Sequence, residues 1–301
     1  PVNSQKIYAA TYKGLMVTED GGTTWNNYIT AETDHEAEDV KVGKKNGVVV
    51  VSMINGNHSS GGERYAYIST SGSNGSFVKY TVVAGAARQE FAVSPEDDNY
   101  IYCLIAKWDG SQQGVYKSTD KGITWTNIGP QGTGFNILGN QGWYDNVIAV
   151  FPNNKEKIIC GGQVSLYIKT NTGNWNAVSH GYYPENSPFY VHADHHAITF
   201  HPTNPDVLYV GTDGGISKSS DGGETFVTLN KQYNVTQFYA MGISGDGRVV
   251  GGTQDNGTLY NDYSGNTSKS FVEIKGGDGG YCEMSTLKPE VTFGTAYYGS
   301  L

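Results

Sequence analysis

One turn, spelled almost the same way at a fixed spacing, limits the fold of this 301-residue chain more than any other feature. Its fullest form is Lys218-Ser219-Ser220-Asp221-Gly222-Gly223-Glu224-Thr225-Phe226. Close copies run from Thr18 to Trp25 around Asp20, and from Ser118 to Trp125 around Asp120. Altered copies end at Phe77, at Trp175 and, from Asn261, at Phe271. The spelling has a mechanical sense. An Asp carboxylate accepts hydrogen bonds from nearby backbone N–H groups, glycine permits φ > 0, and the closing aromatic is large enough to fill a core. The closing aromatics are 52, 48, 50, 51 and 45 residues apart.

The segment from His196 to Leu229 shows what surrounds the turn. Ala197–His201 alternates apolar and polar residues, and Pro202–Asp206 is dense in turn formers. Val207–Thr212, Ile216–Ser219 and Phe226–Leu229 read as three further short strands. Short strands punctuated by Gly, Pro, Asn and Asp form an antiparallel meander. Four strands in each unit of about fifty residues predict an all-β chain, a β-propeller with six recognisable blades and part of a seventh.

The spelling Ser/Thr-x-Asp-x-Gly-x-Thr-Trp/Phe resembles the Asp-box, or BNR repeat, of sialidases, xyloglucanase-type glycosidases and sortilin/Vps10 propellers. Gly142–Asp145, His192–His196, Gly252–Gly257 and Gly276–Gly280 look like phrases of the sortilin/xyloglucanase branch, as found in secreted bacterial surface proteins. The resemblance covers essentially the whole chain. It implies that Asp20, Asp120 and Asp221 are structural, and that the chain is secreted or displayed on a cell surface. It does not extend to sialidase chemistry. That family holds its substrate carboxylate with three arginines and carries an Arg-Ile-Pro motif. Only Arg64, Arg88 and Arg248 are present here, and the motif is absent.

Composition narrows the function classes. The formal charge is −9, and nothing in the chain tracks a phosphate backbone, so nucleic acid is not an expected partner. No apolar run approaches the roughly 18 residues of a membrane span, so no membrane insertion is expected. Cys103, Cys160 and Cys282 each fall in a predicted strand and read as buried thiols. The 41 glycines and 22 tyrosines suit a turn-rich, aromatic β protein.

In chain order, blade one offers Ile7–Tyr12, Gly14–Thr18 and Trp25–Tyr28 and lacks a first strand. Blades two to six follow over Val40–Val83, Phe91–Ile128, Val147–Val178, Ala197–Leu229 and Phe238–Ile274. Tyr281–Thr286 and Val291–Tyr298 begin a seventh. Residues 1–301 therefore read as one propeller domain, incomplete at both ends and part of a larger ring.

A meander sends alternate connections to opposite ends. The Asp-boxes, between strands three and four, lie at one end. The blade-to-blade and two-to-three connections lie at the other and ring the channel mouth. The mouth set is Trp143, Tyr144, Asp145, His192, Asp194, His196, Asp213, Asp255 and Asp278, flanked by Glu36, Glu38, Asp39, Arg88, Glu90, His195, Gln237, Tyr239 and Tyr281. Such a polar, acidic, aromatic rim is a usual place for a ligand. In an extended strand His192, Asp194 and His196 point to one side and could hold a divalent metal ion. No cofactor is required otherwise.

The first expectation is a non-catalytic module binding a glycan, a peptide or a surface protein at this mouth. The second is a xyloglucanase-type glycoside hydrolase, with Asp278 and Asp194 as catalytic candidates and Asp213 or Asp255 as other partners. Inversion needs the carboxylates about 6.5–9.5 Å apart. The third is a structural part of an adhesin or surface filament.

Overall fold

A computed structural model describes residues 5–29, 36–55, 62–130, 135–230, 236–262 and 271–296. The described residues are all-β, in antiparallel sheets, with no helix. The chain is a β-propeller, and each sheet is a blade. It divides into two compact units, Pro1–Leu229 and Asn230–Leu301.

The first unit holds five sheets. The first is β1 (Ile7–Thr11), β2 (Gly14–Thr18) and β3 (Asn26–Ile29). The second is β4 (Ala37–Val42), β5 (Val49–Asn55), β6 (Glu63–Ser69) and β7 (Val78–Tyr80). The third is β8 (Arg88–Val93), β9 (Ile101–Ala106), β10 (Gln112–Ser118) and β11 (Thr126–Asn127). The fourth is β12 (Val147–Val150), β13 (Ile158–Gly161), β14 (Leu166–Lys169) and β15 (Asn176–Ala177). The fifth is β16 (His195–Phe200), β17 (Leu208–Thr212), β18 (Gly215–Ser219) and β19 (Val227–Thr228). Strands pair in chain order within every sheet, and β4, β8, β12 and β16 lie side by side. The Asp20 turn joins β2 to β3, so the three strands of sheet one occupy positions two to four of a blade. The second unit holds β20 (Phe238–Ile243), β21 (Val249–Thr253), β22 (Thr258–Asn261) and β23 (Val272–Lys275), followed by the pair β24 (Gly279–Met284) and β25 (Thr292–Ala296). The Asn261–Phe271 copy of the turn lies largely outside the described residues.

First strands start earlier than the alternation predicts. Glu38, Asp39, Arg88, Glu90, His195 and His196 sit inside β4, β8 and β16 rather than before them. Two of these strands, β4 and β16, and the first strand of the second unit, β20, carry a bulge at that end, at Ala37/Asp39, His195/Ala197 and Phe238/Ala240. A bulge adds a residue on one strand only and re-aims its side chain, which period-two counting cannot anticipate.

The core is a series of apolar layers between neighbouring sheets. Val50, Ile68, Phe91, Ile101 and Cys103 fill the layer between sheets two and three. Phe151, Ile159, Leu208, Val210 and Phe226 fill that between four and five. All three cysteines are free and buried. Each closing aromatic enters the layer between its own sheet and the preceding one: Phe77, Trp125, Trp175 and Phe226 do so. Only Phe226 is fully buried, at 3 % exposure; Trp125 and Trp175 are half-buried. Trp25 was expected to be buried and is 40 % exposed. Its sheet is the first of its unit, so no earlier described sheet covers it. Phe271, in the first sheet of the second unit, is likewise 38 % exposed.

The three full turns are built alike. The hydroxyl of Thr18, Ser118 or Ser219 donates to Oδ1 of Asp20, Asp120 or Asp221 at 2.7 Å. The same Oδ1 accepts the backbone N–H of Thr24, Thr124 or Thr225 at 2.8–2.9 Å. Oδ2 accepts that threonine's hydroxyl at 2.5–2.7 Å. The residue after each Asp has φ of 70°, 62° and 76°, a left-handed conformation that Gly21 and Gly222 adopt freely and Lys121 does not. Each turn also donates an N–H to the loop before its sheet's second strand, at Gln5, Asn99 and Asp206. The altered copies substitute other groups. Ser69 Oγ accepts Ser71 N–H and Gly72 N–H, and Lys169 Nζ donates to the carbonyls of Thr170, Asn171 and Gly173.

Candidate functional site

The opposite end of sheets two to five carries a continuous polar and aromatic surface. On β4 and β8, Lys41 bridges Asp39 at 2.6 Å and Glu90 at 2.8 Å. Burial alone would lower the Lys41 pKa, but these two carboxylates raise it overall. Burial, then the Asp39 charge, pushes Glu90 up, against the pull of Lys41. Arg88, 3.7 Å from Glu90, reaches sheet four and donates from one nitrogen to the carbonyls of Trp143 at 3.2 Å and Tyr144 at 2.7 Å.

Those two aromatics ride on a tight turn. Tyr144 N–H and Asp145 N–H both donate to Gln141 O, at 2.7 and 2.9 Å. Gly142 is required there: a Cβ would lie 2.7 Å from Gly110 O and 2.8 Å from the Ala106 methyl. Trp143 is 63 % exposed and Tyr144 41 %. Their rings sit 5.7 Å apart at 44°. Tyr144 meets His196 edge-on at 4.7 Å, and its hydroxyl donates to Asp213 Oδ2 at 2.9 Å. His196 Nε2 donates to Asp213 Oδ1 at 2.7 Å. The two rings are open to solvent, while Arg88 holds the backbone beneath them through two carbonyls and Asp213 holds the Tyr144 hydroxyl.

Beneath them lie two acids. Asp145 is fully buried. Its Oδ1 has no donor, and its Oδ2 receives only a 3.5 Å contact from Gln141 Nε2. Gln141 Nε2 donates instead to Asp194 Oδ1 at 2.7 Å. The Asp145 carboxyl faces that of Asp194 within hydrogen-bonding range; burial, then this neighbour, pushes Asp145 up to about 8. Asp194 has φ 61°, a region that Asp tolerates better than most residues. This conformation brings its N–H onto Gln163 O at 2.8 Å.

The left-handed Asp194 breaks the alternation expected of residues 192–196. His192 Nδ1 meets Ala193 O at 3.0 Å, and its ring packs where a Gly214 Cβ would be. The ligand atoms of His192, Asp194 and His196 do not gather into a metal-sized group among the described residues. His195, between them, is fully buried with Nδ1 on Gly162 O and Nε2 without a partner. Burial lowers it to about 4, so it is neutral.

Of the nine mouth residues, Trp143, Tyr144, Asp145, Asp194, His196 and Asp213 are joined by contacts within the first unit. Asp255 and Asp278 lie in the second unit, where Asp255 N–H donates to Asp278 Oδ1 at 2.8 Å. Sequence reasoning passed over Gln141 and Lys41 and placed Arg88 only among the residues flanking the mouth. Nothing in the spelling around Gln141 marks it. Arg88 had a signal, being one of only three arginines. A groove of about 320 Å³ lies elsewhere, between the outer strands of sheets three and four. Its charges are already engaged: Lys117 pairs with Glu156, and Lys169 caps carbonyls.

No protein-family model and no curated protein matches the sequence. Among solved structures, the chain is similar to the GH74 xyloglucanase of Xanthomonas campestris, at 11 % identity and TM-score 0.40, covering 94 % of this chain and 49 % of that one. It is similar to the GH74 enzyme of Niastella koreensis at 17 % identity and TM-score 0.40, covering 96 % and 50 %. It is also similar to YCF48, solved bound to the D1 peptide, at 14 % identity and TM-score 0.47, covering 97 % and 87 %. The chain spans about half the length of these two GH74 enzymes. Likeness at this level says nothing of what the chain binds.

Proposed function

We infer that the chain is a binding module of a secreted or cell-surface protein, and that its ligand is a glycan held on the Trp143–Tyr144 platform. The observation that carries this reading is the exposure of Trp143 in a backbone fixed by Arg88. A rigid exposed ring loses little conformational entropy when a sugar face stacks on it. Asp213 and His196, beside the rings, offer hydrogen-bonding groups to hydroxyls. The chain reads as a member of the Asp-box group in its sortilin/xyloglucanase-like branch, supported by the three identically bonded turns.

The hydrolase reading keeps one observation in its favour, the raised Asp145 beside Asp194, since a general acid needs such a shift. Two features weigh against this pair. Asp145 has no exposure with which to reach a glycosidic oxygen. Carboxyls in contact are also closer than either glycosidase geometry, about 5–5.5 or 6.5–9.5 Å.

The test is an array of neutral glycans and of peptides, probed with the parent chain, Trp143→Ala and Arg88→Ala, with a β-glucan hydrolysis assay alongside. A glycan bound by the parent and weakened roughly tenfold or more by Trp143→Ala is expected. Peptide-only binding would replace the glycan. Hydrolysis abolished by Asp194→Asn or Asp278→Asn would make the chain an enzyme.

A further inference from the structure

We propose that Trp108 is a second sugar-stacking site, and that the ligand is an oligosaccharide long enough to lie across both Trp108 and Trp143. This rests on the glycan reading of the proposed function and extends it. Trp108 lies between β9 and β10, in a two-to-three connection, and is 52 % exposed. The five tryptophans divide by what their indole N–H does. Trp25 donates to Gly22 O at 3.2 Å, Trp125 to Gly122 O at 3.0 Å and Trp175 to Ile128 O at 3.0 Å. Those three close copies of the repeated turn. Trp108 and Trp143 make no such bond among the described residues. They are the two tryptophans outside the repeat, both belong to the end opposite the Asp turns, and both keep an indole donor for a ligand.

Trp108 is not a loose surface ring. The Arg64 guanidinium lies over it, 4.8 Å from the ring centroid, as a cation–π partner. Arg64 is itself 2 % exposed and is held on three sides. Its Nε and Nη2 donate to the two oxygens of Glu38 at 3.3 and 3.0 Å, and its Nη1 donates to Gly62 O at 2.8 Å. A lysine has no such planar fork for a carboxylate. The Glu38 charge balances the guanidinium, so the support beneath the ring is neutral as a whole. Arg64 covers one face, and the exposed half of Trp108 remains for a flat apolar partner. A ring already fixed in this way loses little entropy when a sugar stacks on it.

The two platforms are tied together through the backbone. The Trp108 loop closes on itself: Lys107 N–H donates to Ser111 O at 2.8 Å and Gly110 N–H to Lys107 O at 3.0 Å. Asp109 Oδ1 accepts the Ser111 N–H and hydroxyl at 2.9 and 2.6 Å. Gly110 O then accepts the Gly142 N–H at 2.9 Å, which joins this loop to the turn that carries Trp143. The approach is close: Gly110 has φ 80°, and a Cβ there would strike Asn140 O. Chain geometry across that bond keeps the Trp108 and Trp143 Cα atoms within about 18 Å of each other. Two fixed platforms at one separation select a ligand by its length. The second contact made by a bound oligosaccharide is intramolecular and gains a high effective concentration; a single sugar gains nothing from it.

The experiment titrates the intact chain with a ladder of β-glucan oligosaccharides, from monosaccharide to hexasaccharide, and with the ladder of any other neutral glycan that the array retains. Parent, Trp108→Ala, Trp108→Phe and Trp143→Ala are compared by calorimetry, with melting measured on each sample. Parent affinity should rise roughly tenfold or more from disaccharide to hexasaccharide. Trp108→Ala should lose that rise while staying folded, and bind the hexasaccharide no better than the disaccharide. Trp108→Phe keeps a ring over Arg64 and should recover most of the rise. Hexasaccharide affinity that falls in Trp143→Ala but not in Trp108→Ala would overturn this second site alone. No binding at any length, or equal affinity of parent and Trp143→Ala, would overturn the proposed function and this extension with it.

Discussion

Asp120 shows how much one side chain organises. Its carboxylate accepts the Ser118 hydroxyl, the Thr124 hydroxyl and the Thr124 N–H, and so closes a turn that no strand pairing would hold. Burial opposes the charge, but these bonds outweigh it and hold Asp120 below the usual carboxylate range. The same balance lowers Asp221. At Asp20 the hydrogen bonds of Thr24 dominate and bring the value to about 2. A depressed folded value means stability that is fully present above the unfolded pKa of about 3.9 and is lost as pH falls through the folded one. The urea midpoint should therefore fall between about pH 5 and pH 2, and replacing all three acids by Asn should flatten that fall. Asp221→Ala should cost about 1–2 kcal/mol at neutral pH, read by urea unfolding. Lys121 and Gly122 give an opposed pair. Lys121 holds φ 62° with a side chain, so Lys121→Gly should be neutral or stabilise by up to about 1 kcal/mol. Gly122 has φ 84° and no room, because a Cβ would meet Ile68 Cδ1 at 2.1 Å. Gly122→Ala should cost more than about 1–2 kcal/mol, and equal melting of parent and variant would contradict this.

At the scale of strands and turns, the meander was readable because its punctuation is chemical. The predicted Gly14–Thr18 strand and the observed β2 coincide, and the expected ends at Phe238 and Val147 are those of β20 and β12. Connection parity also followed from spelling, since every full Asp turn bonds the first-to-second loop of its own sheet. Three things were not readable. The bulges at His195 and Ala37 shift a strand by one residue through local twist, which leaves no mark in hydropathy. The left-handed φ of Asp194 is a backbone feature that hydropathy does not mark. The exposure of Trp25 depends on which sheet precedes it, a matter of neighbours rather than of its own turn. The Arg88 contact is equally non-local, crossing 55 residues to the Trp143 carbonyl. It makes a prediction for β8: Arg88→Ala should leave melting within about 1 kcal/mol, because the pair with Glu90 is long and partly exposed. It should loosen the Trp143 turn and weaken ligand about three- to tenfold. Arg88→Lys should not restore binding, because one ammonium lacks the guanidinium's planar fork.

For the molecule as a whole, the account assigns different work to the two ends of each blade. One end carries Asp turns that close sheets; the other carries the Trp143–Tyr144 platform and the acids beside it. A formal charge of −9 adds a long-range attraction for cations that salt screens. A neutral glycan on Trp143 should bind with nearly the same affinity at 50 mM and 500 mM salt, whereas a cationic peptide would weaken steeply. The division of labour is tested most directly by one set of isotherms. Parent, Trp143→Ala and Asp221→Ala are titrated with the same bound oligosaccharide by calorimetry, with melting measured on each sample. The account predicts that Trp143→Ala loses roughly tenfold or more in affinity at unchanged melting, and that Asp221→Ala melts lower and binds as the parent does. Affinity unchanged in Trp143→Ala, or lost in Asp221→Ala while still folded, would contradict it.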